Sequence, residues 1–320
     1  MVANLFSLLV LIALVVLFGW LAARAWKAKR WPLWVKWPGL VLSGLLTLLF
    51  AALVFFAGKG LAYLYRAPVP VPDITVAGTP EQIARGEYLA SVSCVECHGA
   101  NKSQQFPLSG LGDYSEDIGL PIGKVIASNI TPGGVLADLT DGELFRLLRF
   151  GYGRNQRAPM TAMLTHREYS DEDTLALIAF LRSQAPVETE TNGGTELNLL
   201  GVILFFGTGV VPVAEDVQTP IVAPSSSPTA EYGQYVPVYG ECAGCHGPDM
   251  AGVEATALIA AVPSARYLVS GLSLEQFIAM MRTGLKPGNT PFPPEMPWQY
   301  AARMTDDDLA ALYAYLRATP

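Results

Sequence analysis

All four cysteines of the chain and two of its three histidines fall in two five-residue strings, Cys94-Val95-Glu96-Cys97-His98 and Cys242-Ala243-Gly244-Cys245-His246. Two thiols one helical turn apart can each add to a vinyl group of the same porphyrin, while the adjacent histidine reaches the iron. The pattern predicts two covalently bound haem c groups, with thioethers at Cys94, Cys97, Cys242 and Cys245 and iron ligands at His98 and His246. Zinc is a poorer reading. A cysteine pair would need two further ligands, and pooling all four thiols on one metal would leave both histidines unexplained. No thiol is left over for a disulfide.

An iron that only exchanges electrons usually has both axial positions filled, and a methionine thioether opposite histidine raises its potential. Met296, in the loop Phe292-Pro-Pro-Glu-Met-Pro-Trp298, is the candidate for the second haem. For the first, Met163 and Met160 both lie downstream of the motif. Spacing selects Met163, because Gly151 to Met163 and Gly284 to Met296 are both twelve residues. Met160 is kept as the alternative, and His166 is read as a surface or propionate-contacting residue. Met250, Met280, Met281 and Met304 are read as core.

The elements that must hold these groups are helices, and they occur twice. Thr140 to Gly151 and Ser273 to Gly284 each open with a capping box and end at glycine. Ser170 to Arg182 and Thr305 to Arg317 each place three acids in the first turn, with leucines four apart behind them. Upstream of each motif, Thr79-Pro80 and Ser227-Pro228 signal a helix start, and Gly86 with Tyr88, and Gly233 with Tyr235, are expected to pack on the final helix. The repeat is imperfect: Gly86 precedes its first cysteine by eight residues and Gly233 by nine, and Pro237 is expected to interrupt the second helix.

The N-terminal region differs in kind. The first 72 residues contain no Asp or Glu, and Leu5 to Ala23 and Gly39 to Gly58 are apolar runs long enough to span a bilayer. Between them lie five of the seven basic residues that precede Asp73, which by the positive-inside rule makes that loop cytoplasmic. Five of the six tryptophans sit at or between the helix ends, as an interfacial belt. The run lacks a positive n-region, so the expectation is a retained hairpin in the cytoplasmic membrane, with the N-terminus and both haem domains on the periplasmic side. Beyond residue 72, 28 acids face 14 basic residues. That charge disfavours nucleic acid and would steer a partner with a basic docking face.

The resulting organisation is all-α: a two-helix transmembrane hairpin (1–66), a Pro-rich linker (67–79) spacing the first domain from the membrane, a haem domain (80–185), a linker with an apolar interfacial segment (186–226) and a second haem domain (227–320). Within the second linker, Leu197 to Val213 is apolar enough to suggest a third crossing. A crossing would put the two motifs on opposite sides, so an interfacial or partner-buried helix is expected, followed by a flexible stretch over Pro220 to Pro228.

With Ser128-Asn129-Ile130-Thr131-Pro132, the capped helix, Arg149-Phe150-Gly151 and the Ala162-Met163 loop, the first domain resembles the cytochrome subunits of membrane-bound alcohol, aldehyde and gluconate dehydrogenases. The second resembles class I cytochrome c. The resemblance covers about residues 80–183 and 228–320. It implies two class I cytochrome c folds, and it implies that Asn129 and Thr131 lie near haem propionates. That family commonly has three haem domains and a different anchor. The N-terminal hairpin is more similar to the dihaem subunits of haem-copper oxidases and of quinol-oxidising complexes.

The functional expectation is a membrane-anchored dihaem electron carrier, working as a subunit of a respiratory or photosynthetic complex between a quinol-oxidising or dehydrogenase partner and an oxidase or soluble acceptor. Other membrane subunits are the expected partners. No substrate-pocket motif is present, so catalysis is not assigned to this chain alone. The competing readings are a dihaem enzyme with an open iron site acting on a small oxidant or sulfur compound, and the cytochrome subunit of a periplasmic alcohol-type dehydrogenase.

Overall fold

The structure, a computed structural model, describes residues 2–65, 69–100, 105–113, 115, 119–153, 166–189, 194–209, 220–255 and 260–318. It is mainly helical. Helices α1 (Val2–Lys27) and α2 (Leu33–Leu64) form the N-terminal hairpin, and both are long and apolar enough to cross a membrane. They overrun the apolar runs at both ends, so part of the basic, Trp-rich loop is helical. At about 1.5 Å per residue, α2 extends roughly 48 Å, well beyond a hydrocarbon core of about 30 Å. One face of its last two turns, with Ala57, Gly60, Leu61 and Leu64, is buried against the rest of the protein.

The first haem-motif unit contains α3 (Pro80–Ser93), α4 (Val95–His98), α5 (Asp141–Phe150) and α6 (Asp171–Ser183). A short α7 (Leu199–Val202) continues into a π-helical turn, Ile203–Gly207. The second unit contains α8 (Ala230–Tyr239), α9 (Cys242–His246), α10 (Ala265–Val269), α11 (Leu274–Thr283), α12 (Trp298–Ala301) and α13 (Asp306–Arg317). Sheet among the described residues is limited to two-residue antiparallel ladders, β1 (Gly112–Asp113) with β3 (Ile126–Ala127), β2 (Gly123–Lys124) with β4 (Glu196–Leu197), and β5 (Leu285–Lys286) with β6 (Thr290–Pro291).

The two units are built alike down to single contacts. Both capping boxes form, Thr140 with Glu143 and Ser273 with Gln276, and both helices end at a left-handed glycine, Gly151 and Gly284. Arg149 reaches Asp171 at 2.7 Å, and its counterpart Arg282 reaches Asp306 at 2.6 Å. Gly86 lies against α6 so closely that a Cβ would sit 2.0 Å from the Ala176 carbonyl oxygen, and Gly233 against α13 with the same atom 1.9 Å from that of Ala311. Only glycine admits either crossing.

Three linker expectations change. The Pro-rich stretch is not a free spacer: Val76 N–H bonds the Asp141 carboxylate at 3.0 Å, Arg146 donates to the Val69 carbonyl, and Gly142 abuts Pro72, so residues 69–76 run along α5. The stretch expected to be flexible over Pro220 to Pro228 is tied at its start as well, because Ile221 exchanges bonds with Asp171 through both its N–H and its carbonyl. The apolar segment is buried by the chain's own hairpin. Gly60 of α2 meets Val202, Gly207 meets Phe56, and Asn4 near the start of α1 donates to the Leu197 carbonyl at 2.9 Å. Residues 210–213 of that segment lie outside the described residues. Helix α8 continues through Pro237, where a kink was expected, to Tyr239.

The hairpin contact depends on features that the second unit lacks. Between the equivalent positions Gly110 and Ala127 the first unit has seven more residues than the second has between Gly252 and Val262. From this longer loop Ile122 and Val125 join Leu197, Leu199, Val202 and the end of α2 in one buried cluster. A separate, continuous core runs through both haem-motif units.

Candidate haem sites

Each motif histidine is oriented by a backbone carbonyl. His98 Nδ1 lies 2.8 Å from the Ser128 oxygen and His246 Nδ1 lies 2.9 Å from the Pro263 oxygen. A carbonyl only accepts, so Nδ1 carries the proton in both rings and Nε2 is the nitrogen with a lone pair to offer a metal. The loops delivering those carbonyls are held alike: Gly110 N–H bonds the His98 carbonyl and Gly252 N–H that of His246, both at 2.9 Å. Both glycines have positive φ, and a Cβ on either would strike the returning strand at 2.7 and 2.6 Å. Burial pushes the His98 ring below its usual pKa, which favours the neutral form that binds iron.

Beside the first motif lies a cleft, partly open to solvent, that Cys94, Cys97 and His98 line. Its walls are mostly aliphatic, with Leu144, Leu148, Leu177 and Ile130 among them. Two thiols, an imidazole with a free nitrogen and an apolar cleft are the donor set and lining a haem c needs. While unattached, the Cys94 thiol is pushed up to about 12 by burial, and Cys242 likewise.

Met160 and Met163 lie outside the described residues. Met296 is half-buried against the core of its unit, and Met250, Met280, Met281 and Met304 are buried in that core, as expected. Asn129 and Thr131 are fully buried beside the Ser128 carbonyl, but their polar atoms are engaged elsewhere. Asn129 donates to the Val187 carbonyl at 2.7 Å and accepts from the Thr131 N–H and hydroxyl. Of this segment it is Ile130 that lines the cleft. Of the two readings of His166 the surface one is corrected: the residue is buried and lines the cleft, with its Nε2 3.9 Å from Glu241 of the second unit. Glu241 was missed. Its signal was the extra residue between Gly233 and Cys242.

Residues 230–320 match the cytochrome c family model. This segment is a cytochrome c domain. The domain implies covalent haem c at Cys242 and Cys245, and an electron-transfer role for the chain that carries it. Two curated relatives are similar over stretches of about this length or longer. The cytochrome subunit of fructose dehydrogenase from Gluconobacter japonicus is 29% identical over 130 residues, covering 36% of this chain and 26% of the relative. The cytochrome c subunit of alcohol dehydrogenase (quinone) from Gluconobacter oxydans (strain 621H) is 29% identical over 94 residues, 26% of this chain and 20% of the relative. The matched region spans about a quarter of the length of these relatives.

Proposed function

We propose that the chain is a membrane-anchored dihaem c-type cytochrome that passes single electrons on the periplasmic side as a subunit of an electron-transport complex. The observation that carries the two-haem reading is the matched pair of histidine settings, His98 on the Ser128 carbonyl and His246 on the Pro263 carbonyl, each closed by a positive-φ glycine. The first unit thereby reproduces the surroundings of the motif inside the cytochrome c domain.

Bound at these positions, haem iron supplies reversible one-electron exchange. The chain holds it. Cys94 and Cys97, and Cys242 and Cys245, fix the porphyrins; His98 and His246 present Nε2, and the aliphatic walls exclude water from the first cleft. Met296 and Met163, with Met160 as the alternative, are the proposed opposite ligands. The hairpin is the proposed anchor. Asn4 and the end of α2 both contact residues 197–207, so the N-terminus and the haem units share one end of the hairpin, opposite its basic loop.

A narrower reading, in which the partner is a dehydrogenase subunit and the chain collects its electrons, is supported by the two Gluconobacter relatives, both cytochrome subunits of dehydrogenases. Haem content decides the main proposal. The purified chain should carry two haems with low-spin spectra, Cys94→Ala and Cys242→Ala one each; a wild-type chain with a single haem rejects it. Co-purification in mild detergent identifies the complex.

A further inference from the structure

The extra residue in the second repeat has a consequence for the first site. In the first unit α3 runs straight into the motif, with Cys94 in right-handed helical geometry. In the second, α8 ends at Tyr239, and the chain is turned by Glu241 at φ 57°, a left-handed conformation that is uncommon for a residue with a side chain. Counted from Gly86 and Gly233, Glu241 occupies the register position of Cys94, and Cys242 is displaced by one. The turn brings the Glu241 side chain to the first unit. It lines the first unit's cleft beside Cys94, Cys97 and His98, with Oε1 3.9 Å from the buried His166. Among the described residues lining that cleft it is the one carboxylate.

We infer that Glu241, a residue of the second unit, sets the potential of the haem held by the first. This rests on the two-haem reading above. Oxidation adds a positive charge at the iron, and a carboxylate across an apolar cleft stabilises that state more strongly than it would through water. The residue that begins the second haem's attachment loop is thus a positioning residue for the first haem's electrostatics. The two centres are coupled through one side chain.

The test is a spectroelectrochemical titration of the full-length chain in detergent, with haem content measured on every sample. Glu241→Gln removes the charge at nearly constant size. Glu241→Asn does the same in a residue that tolerates the left-handed turn, so one neutral variant survives if the other folds badly. The second haem is assigned by the spectral change in Met296→His. The expected result is two haems per chain with the first haem's midpoint raised, and raised more than the second's. Glu241→Asp should return it towards wild type, and the exposed control Glu275→Gln should move neither. Two retained haems with an unchanged first midpoint in both neutral variants overturn the inference and leave the dihaem reading standing. A wild-type chain with one haem defeats both.

Discussion

Tyr88 donates its hydroxyl to the Asp308 carboxylate across the boundary between the two units, and the contact is reciprocated: Tyr235 donates to Asp173 at 2.8 Å. Each phenol oxygen also accepts the N-cap N–H of the helix carrying its acid, Thr305 N at 3.3 Å for Tyr88 and Ser170 N at 2.8 Å for Tyr235. The same residue of each repeat thus grips the same turn of the other, the signature of a self-complementary two-fold interface within one chain. The symmetry fails at Arg85. Arg85 forks onto Asp173 at 2.7 and 2.8 Å, while its counterpart before the crossing glycine is Tyr232.

That asymmetry predicts unequal acids. Asp173→Asn strands Arg85 in a largely buried setting and should destabilise the chain by about 3 kcal/mol. Asp308→Asn loses mainly the Tyr88 bond and should cost about 1 kcal/mol. Denaturant midpoints of the detergent-solubilised protein compare them, and equal losses would show that Arg85 contributes nothing.

The same cluster should weaken the protein in alkali. Burial, with Asp308 beside Tyr88 and Asp173 beside Tyr235, raises both phenol pKa values above the ordinary 10.0, and burial raises Tyr239 too. The folded state therefore keeps these phenols neutral where the unfolded state ionises. Their contribution is complete below about pH 10 and is lost as pH rises from there. Unfolding curves at increasing pH should show a steep decline that is shallower in Tyr235→Phe, although that variant starts about 1 kcal/mol lower. Parallel declines would contradict the assignment.

Gly86→Ala and Gly233→Ala each force a Cβ to about 2 Å from a carbonyl oxygen, so the helices must part. Each change should cost at least the roughly 1–3 kcal/mol typical of overpacking. Each should also preferentially lower haem incorporation in its own unit, read by absorbance after Cys→Ala removal of the other site. Indifference of haem content to both would mean that the crossings are not needed for attachment.

On the hairpin side, Gly207→Ala would place a Cβ 2.4 Å from the Phe56 carbonyl oxygen. Hydrogen exchange should accelerate over residues 199–207 while both haems are retained. Unchanged exchange there would argue against a rigid joint.

Much of this was legible in the residues. The capping boxes at Thr140 and Ser273 and the glycines at 86 and 233 are local signals, fixed by helix geometry within a few positions, and they placed the repeats. Tyr88 and Tyr235 were correctly picked as packing residues but assigned to the wrong helix, because periodicity tells which face a side chain occupies and not which partner meets it. The apolar 197–207 segment was ambiguous for the same reason: hydrophobicity demands cover, and only the fold shows that α2 provides it. Asn129 and Thr131 were expected near propionates through resemblance; in the structure both bond the Val187 backbone, a contact the sequence does not signal. His166 was read as a surface or propionate-contacting residue, and its burial beside Glu241, 75 positions away, has no local signal.

The seven additional residues between Gly110 and Ala127 make two matching units unequal. They moor the first unit to the hairpin, whose buried cluster holds no residue of the second among those described. Of two matching units, one is joined to the hairpin cluster and the other is not. On the proposed membrane-anchored dihaem reading, the haem of the first unit is the one tied to the anchor, so a difference in loop length makes the two centres inequivalent.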